Sequence, residues 1–177
     1  MTETEPGQPE VQYWDSCLFI SFLTNLEANR VDVIRELLDQ VQARKSRLRI
    51  VVSTLVLAEV RPSETYTKDH YEEIIELFDT DRPYFQFYGL TRGIAKRSRD
   101  IGSAHPRLSV PDSIHIATAI EAGADVLFTY DGDQKKESRR SGRMLQYHNQ
   151  IGMPPLRIEV PTIDHGPLFR GLTQTPD

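Results

Sequence analysis

Four carboxylates stand out in the sequence because each sits where a strand ends or a helix begins. Asp15 follows the short apolar run at 11–14, Asp131 follows the run at 126–129, Asp112 lies in the first turn of an apolar helix, and Glu59 lies one to two turns into another. In a parallel sheet the carboxyl ends of all strands share one edge, so such acids converge from distant parts of the chain. Crowded carboxylates raise one another's pKa unless a divalent cation sits among them. All-oxygen donors suit hard ions, Mg²⁺ or Mn²⁺, and no Cys or His cluster with metal spacing points elsewhere. Ions held in this way lower the pKa of a bound water, align it with a phosphodiester and stabilise the leaving oxygen.

Each acid also has a plainer reading. Asp112 stands three residues after Ser109 ahead of an apolar run, the pattern of a capping box. Glu59 alone would be an exposed helix acid, and Asp131 and Asp133 flank Gly132 as turn residues do. Asp15 resists such a reading, since it follows Tyr13-Trp14 and precedes a long apolar run where an uncompensated charge is costly. His115 and His105 read as satisfied structural or surface histidines, and Cys17, the single cysteine, reads as a small core residue.

The elements that must position these acids follow from periodicity. Residues 109–131 read as a capped helix, a turn at Gly123 and a buried strand. That antiparallel pair brings the helix start at Asp112 next to the strand end at Asp131. Residues 16–23 extend the first strand as a buried helix, although apolarity alone does not separate helix from strand there. A one-sided stripe at positions 33, 34, 37, 38 and 41 makes 32–44 an amphipathic helix. Further strands are expected at 48–52, 84–88 and 156–160, and further helices at 55–60, 69–78, 91–101 and from about Lys135. Alternation of this kind predicts an α/β fold, a mainly parallel central sheet with helices on both faces.

The 177 residues suffice for one domain, and 38% apolar with 27% charged residues is a folding composition. The acidic stretch 1–10 reads as a loose tail, 11–160 as the domain, and the Pro- and Gly-rich stretch 161–177 as an extension. No apolar run has a membrane span's length and the start lacks a secretory signal, so a cytoplasmic protein is expected. The net charge of −5 disfavours a general nucleic-acid coat. Three basic runs, around Arg44–Arg49, Arg92–Arg99 and Lys135–Arg143, nonetheless suit a polyanionic substrate set against an acidic site.

Taken together, Tyr13-Trp-Asp-Ser16, Ser53-Thr-Leu-Val-Leu-Ala-Glu-Val60 and Pro111-Asp-Ser-Ile-His-Ile-Ala-Thr-Ala119 followed by Ala124-Asp-Val-Leu-Phe-Thr-Tyr-Asp131 resemble the PIN-domain nucleases, most closely the VapC-like toxins. The resemblance covers roughly residues 11 to 160. It implies a three-layer α/β/α sandwich and Mg²⁺- or Mn²⁺-dependent endoribonuclease activity, with one or two ions. Asp15, Glu59, Asp112 and Asp131 would form the acidic cluster, Ser16 and Thr129 would orient it, and Asp133 is a candidate further ligand. A metal-bound water, not the RNA 2′-hydroxyl, would attack phosphorus. RNA as substrate and an antitoxin as partner follow from the resemblance alone, and it leaves room for a homodimer. A solitary nuclease and a catalytically silent PIN-like RNA-binding or regulatory scaffold are the alternatives. A haloacid dehalogenase-type phosphatase, suggested by Asp131-Gly-Asp133, is disfavoured because that motif normally opens its fold.

Overall fold

A computed structural model describes residues 10–24, 27–43, 48–132 and 144–163. Five strands, β1 (Glu10–Trp14), β2 (Leu48–Ser53), β3 (Phe85–Tyr88), β4 (Val126–Phe128) and β5 (Arg157–Glu159), form one sheet in the order β3-β2-β1-β4-β5. Every pairing is parallel. Six α-helices are described: α1 (Ser16–Thr24), α2 (Ala28–Gln42), α3 (Leu55–Glu59), α4 (Lys68–Asp79), α5 (Arg92–Ala104) and α6 (Val110–Glu121). A short 3₁₀ helix, Met144–Tyr147, precedes β5. No described helix is long and apolar enough to cross a membrane.

Because side chains alternate along a strand, the sheet builds two cores. Trp14, Ile50, Val52, Val126 and Phe128 point to the face covered by α1, α2 and α4. Their sequence neighbours Tyr13, Val51 and Leu127 point to the other, covered by α5, α6 and the 3₁₀ helix. Central strands buried on both faces read as continuous apolar runs, which is why 50–52 and 126–128 show no polar alternation. The result is the α/β/α sandwich with helices on both faces of the sheet.

The chain leaves β1 toward β2 and β3 on one side and returns to β4 and β5 on the other. The strand order therefore reverses at the β1–β4 pair, and open α/β sheets have their ligand crevice at the carboxyl ends of such a pair. Asp15 and Thr129 are the first residues beyond these two strands.

Helix α6 is fixed at both ends. Ser109 accepts from the Asp112 N–H at 3.2 Å, and Asp112 accepts from the Ser109 N–H at 2.9 Å, a complete capping box with Pro111 in the first turn. At the far end Gly123, at φ +66°, allows the Ala124 N–H to reach the Ala119 carbonyl and its own N–H to reach Ile120, a Schellman closure. The Asp125 side chain then accepts from the Val11 N–H at 2.8 Å as the chain enters β4 beside β1.

Several boundaries shift slightly. The first strand begins at Glu10, inside the stretch read as a tail, because Glu10 pairs with Leu48. Residues 16–23 are helical, and β4 ends at Phe128, one residue short of the expected run. The expected basic helix from Lys135 lies outside the described residues, as do most of 161–177 and residues 1–9.

Candidate functional site

Asp15 leaves the end of β1 with its main chain still tied to β4, its N–H donating to the Phe128 carbonyl at 3.1 Å. Asp15 is 3% exposed, and both oxygens of its carboxylate accept hydrogen bonds. Oδ1 accepts from the Ser16 N–H at 2.8 Å, with the Ser16 hydroxyl at 3.4 Å; Oδ2 accepts from the Thr129 hydroxyl at 2.8 Å and the Cys17 thiol at 2.9 Å. A charge buried this deeply requires such partners. Thr129 in turn accepts from the Asp131 N–H at 3.0 Å, so one hydroxyl links the residues after β1 and β4.

Cys17 is part of this cluster. Its sulfur also accepts from the Tyr130 N–H at 3.1 Å. Burial, and then the Asp15 charge, push the thiol pKa well above its ordinary value, so Cys17 is a protonated donor. A reading of Cys17 as core filler is therefore incomplete: it packs against the larger core, but its polar atom belongs to the acidic site.

Glu59 ends the five-residue helix α3 and reaches His115, Oε2 to Nε2 2.9 Å. The same Nε2 lies 3.4 Å from Asp15 Oδ1, so His115 stands between two acids that are 44 positions apart in sequence. Burial opposes the His115 cation, but the charges of Asp15, Glu59 and Asp112 outweigh it and raise the pKa. On the ring's other side Nδ1 lies 2.7 Å from the Tyr13 hydroxyl, which accepts from the Ser53 N–H at 3.1 Å. Burial, reinforced by Asp15 and Glu59, pushes the Tyr13 phenol well up, so it remains protonated.

Asp112 completes the group on the α6 side. Its Oδ2 is engaged in the capping box, and burial raises its pKa; the Ser109 hydrogen bonds and the His115 charge oppose this, while the Asp15 charge adds to it. Capping and membership of an acidic cluster thus coexist in one side chain. Asp131 is placed differently: its Oδ2 accepts from the Met144 N–H at 2.8 Å, anchoring the 3₁₀ helix to the end of β4. Asp133 lies outside the described residues.

The structure therefore gathers Asp15, Glu59 and Asp112 around His115, with Ser16, Thr129 and Cys17 on Asp15, and joins Asp131 to them through Thr129. Sequence reasoning set His115 aside and did not single out Tyr13 as a site residue. The only available signal was a histidine one helical turn after Asp112 on the same face, in an otherwise apolar helix.

Among the described residues, no three His, Cys, Asp or Glu side chains are close enough to hold a metal ion as they stand. Mg²⁺ does not require a closed protein cage, because it keeps several waters and is commonly held by one or two carboxylates. The donor set fits that demand: Glu59 Oε1 and Asp112 Oδ1 carry no hydrogen bond among the described residues. Of the basic runs, Arg92, Lys96, Arg97 and Arg99 lie exposed on α5, with Arg97 paired to Glu121 at 3.4 Å and Arg99 to Asp100 at 2.8 Å.

No curated protein matches the sequence significantly. Among solved structures, a chain from the crystal structure of VapBC2 from Rickettsia felis bound to a DNA fragment from their promoter is similar in fold. It aligns with a TM-score of 0.53 and 12% identity over 86% of this chain and 99% of that one. The family model for the PIN domain matches residues 13–139, the span that runs from Tyr13 through all four acids. With that match over most of its length, and an all-parallel sheet carrying the acids at one edge, the chain belongs to the PIN-domain family.

Proposed function

We propose that this protein is a divalent-metal-dependent endoribonuclease that acts as the toxin of a toxin–antitoxin pair. The observation that carries the proposal is the convergence of Asp15, Glu59 and Asp112 on His115 at the sheet edge where the strand order reverses. A bound Mg²⁺ or Mn²⁺ would offset the mutual repulsion of these acids and would supply an acidified water and charge neutralisation at phosphorus.

The chain's own residues do the holding. Asp15, Glu59 and Asp112 would bind the ion, with Asp131 beside them and Asp133 a further candidate. Ser16 and Thr129 fix the Asp15 carboxylate so that its oxygens do not reorient when substrate enters. RNA as the substrate and an antitoxin as the partner rest on the family resemblance to VapC-like toxins, and the similar fold of a chain from a VapBC2 complex supports the second.

The test is cleavage of RNA by purified protein with Mn²⁺ or with chelator. Asp15→Asn and Asp112→Asn are expected to lower the Mn²⁺-dependent rate at least about 100-fold, the upper end of what loss of even an outer partner of a metal ligand costs. Wild-type rates from folded Asp112→Asn would remove the metal-site assignment. For the toxin role, induced expression should arrest growth, Asp15→Asn should not, and the product of an adjoining upstream reading frame should restore growth.

A further inference from the structure

The acids account for a metal site, but they leave Tyr13 and His115 without a part in it. Both are buried, at 0% and 1% exposure, and together they form an unbroken path of hydrogen bonds across four elements. The Ser53 N–H at the end of β2 donates to the Tyr13 oxygen on β1, the Tyr13 oxygen lies 2.7 Å from His115 Nδ1 on α6, and His115 Nε2 lies 2.9 Å from Glu59 Oε2 on α3. Tyr13 packs edge-on to the imidazole, with ring centroids 5.9 Å apart, so the ring is held in plane as well as by its nitrogens.

The proton on Nε2 follows from its neighbours: Nε2 faces Glu59 Oε2 and Asp15 Oδ1, and carboxylates only accept, so Nε2 carries a hydrogen and donates to Glu59 whether or not the ring is charged. Nδ1 accepts from the Tyr13 hydroxyl when the ring is neutral and donates to its oxygen when the ring is charged.

We propose that His115 is a positioning residue for the metal site: locked through Tyr13 to the backbone of β2, it holds Glu59 Oε2 and so presents Oε1 toward a divalent cation beside Asp15 and Asp112. This rests on the metal-site reading above. Glu59 needs such a hold. It ends a helix of only five residues, the chain turns out of helical geometry at Val60, and Glu is among the side chains with most rotamer freedom. His115 also bridges toward Asp15 Oδ1 at 3.4 Å, which sets the spacing of the two acids before an ion arrives. An outer partner that orients a ligating carboxylate changes metal affinity; a histidine that merely fills the core does not.

The experiment is calorimetric titration of Mn²⁺ into metal-free full-length protein, with folding of each variant checked by circular dichroism. His115→Ala is expected to weaken Mn²⁺ binding about tenfold or more, and Tyr13→Phe by a smaller factor. His115→Gln, whose amide can still donate to Glu59, should recover part of the loss. In a Glu59→Gln background the same His115→Ala change should cost less than it does in wild type, because the route through the Glu59 carboxylate is gone and only the contact toward Asp15 remains. If His115→Ala does not fold, His115→Gln and Tyr13→Phe decide the matter. Folded variants with wild-type Mn²⁺ affinity, or a His115→Ala loss undiminished by Glu59→Gln, would overturn the positioning role while leaving the metal site intact. A wild-type protein that binds no Mn²⁺ would instead overturn the metal reading and this one with it.

Discussion

Asp112 closes the capping box of α6 with one oxygen while the charge of Asp15 acts on the same carboxyl group. Burial, the largest influence, and Asp15 raise its pKa despite the Ser109 hydrogen bonds. A carboxyl raised in the folded state contributes stability that is fully present below its unfolded value and is lost as pH rises through its folded value. In chelator, Asp112→Asn keeps an acceptor for the Ser109 N–H and removes that loss. The variant is therefore expected to be at least as stable as wild type near pH 7, with its advantage vanishing below about pH 4, the ordinary aspartate range. Thermal unfolding from acid to neutral pH measures this; a variant uniformly less stable at every pH would show that the charge of Asp112 carries no penalty. How far such residues are legible in sequence varies. Asp15 can be picked out because a charge between Trp14 and an apolar helix has no cheap explanation. The contact of His115 with Glu59 spans 56 positions and leaves no local mark, and a histidine in an apolar helix usually is a satisfied core residue.

At the scale of the elements, α6 shows how closely local chemistry fixes the site. Ser109→Ala removes the acceptor of the Asp112 N–H and is expected to cost about 1 kcal/mol. Gly123→Ala meets nothing within 4 Å, so its cost is that of the left-handed backbone alone, again about 1 kcal/mol. Urea denaturation measures both, and a cost well above these figures at Gly123 would mean that the turn is packed more tightly than its surroundings imply. These signals were readable: Ser109, Asp112 and Gly123 declare the start and end of α6 in the sequence. Helix α1 was less so, because Cys17 to Leu23 is apolar almost throughout and periodicity does not separate a buried helix from a buried strand. Its nature is decided by tertiary packing of Leu18, Phe19 and Phe22 on the sheet. The helix expected at 55–60 ends one residue earlier, at Glu59, and that end is what gives Glu59 its freedom.

Across the whole molecule, the two cores share five strands and so should melt together. Leu127 and Phe128 are adjacent in β4 yet face opposite cores. Leu127→Ala is expected to cost about 2–5 kcal/mol and Phe128→Ala about 3–5 kcal/mol. Each variant should unfold in one transition, seen alike by near- and far-ultraviolet circular dichroism. Two separable transitions in either variant would mean that the helical layers are held independently.

The position of β4 between β1 and β5 also has a consequence in time. Asp15 and Glu59 emerge early in synthesis, but the hydroxyl that fixes Asp15 is Thr129, and the helix that brings His115 and Asp112 arrives only just before it. A chain halted after β3 holds two of the acids with nothing to bind them together. Whatever chemistry the edge performs is therefore withheld until synthesis has passed Thr129, since domains fold as units during synthesis.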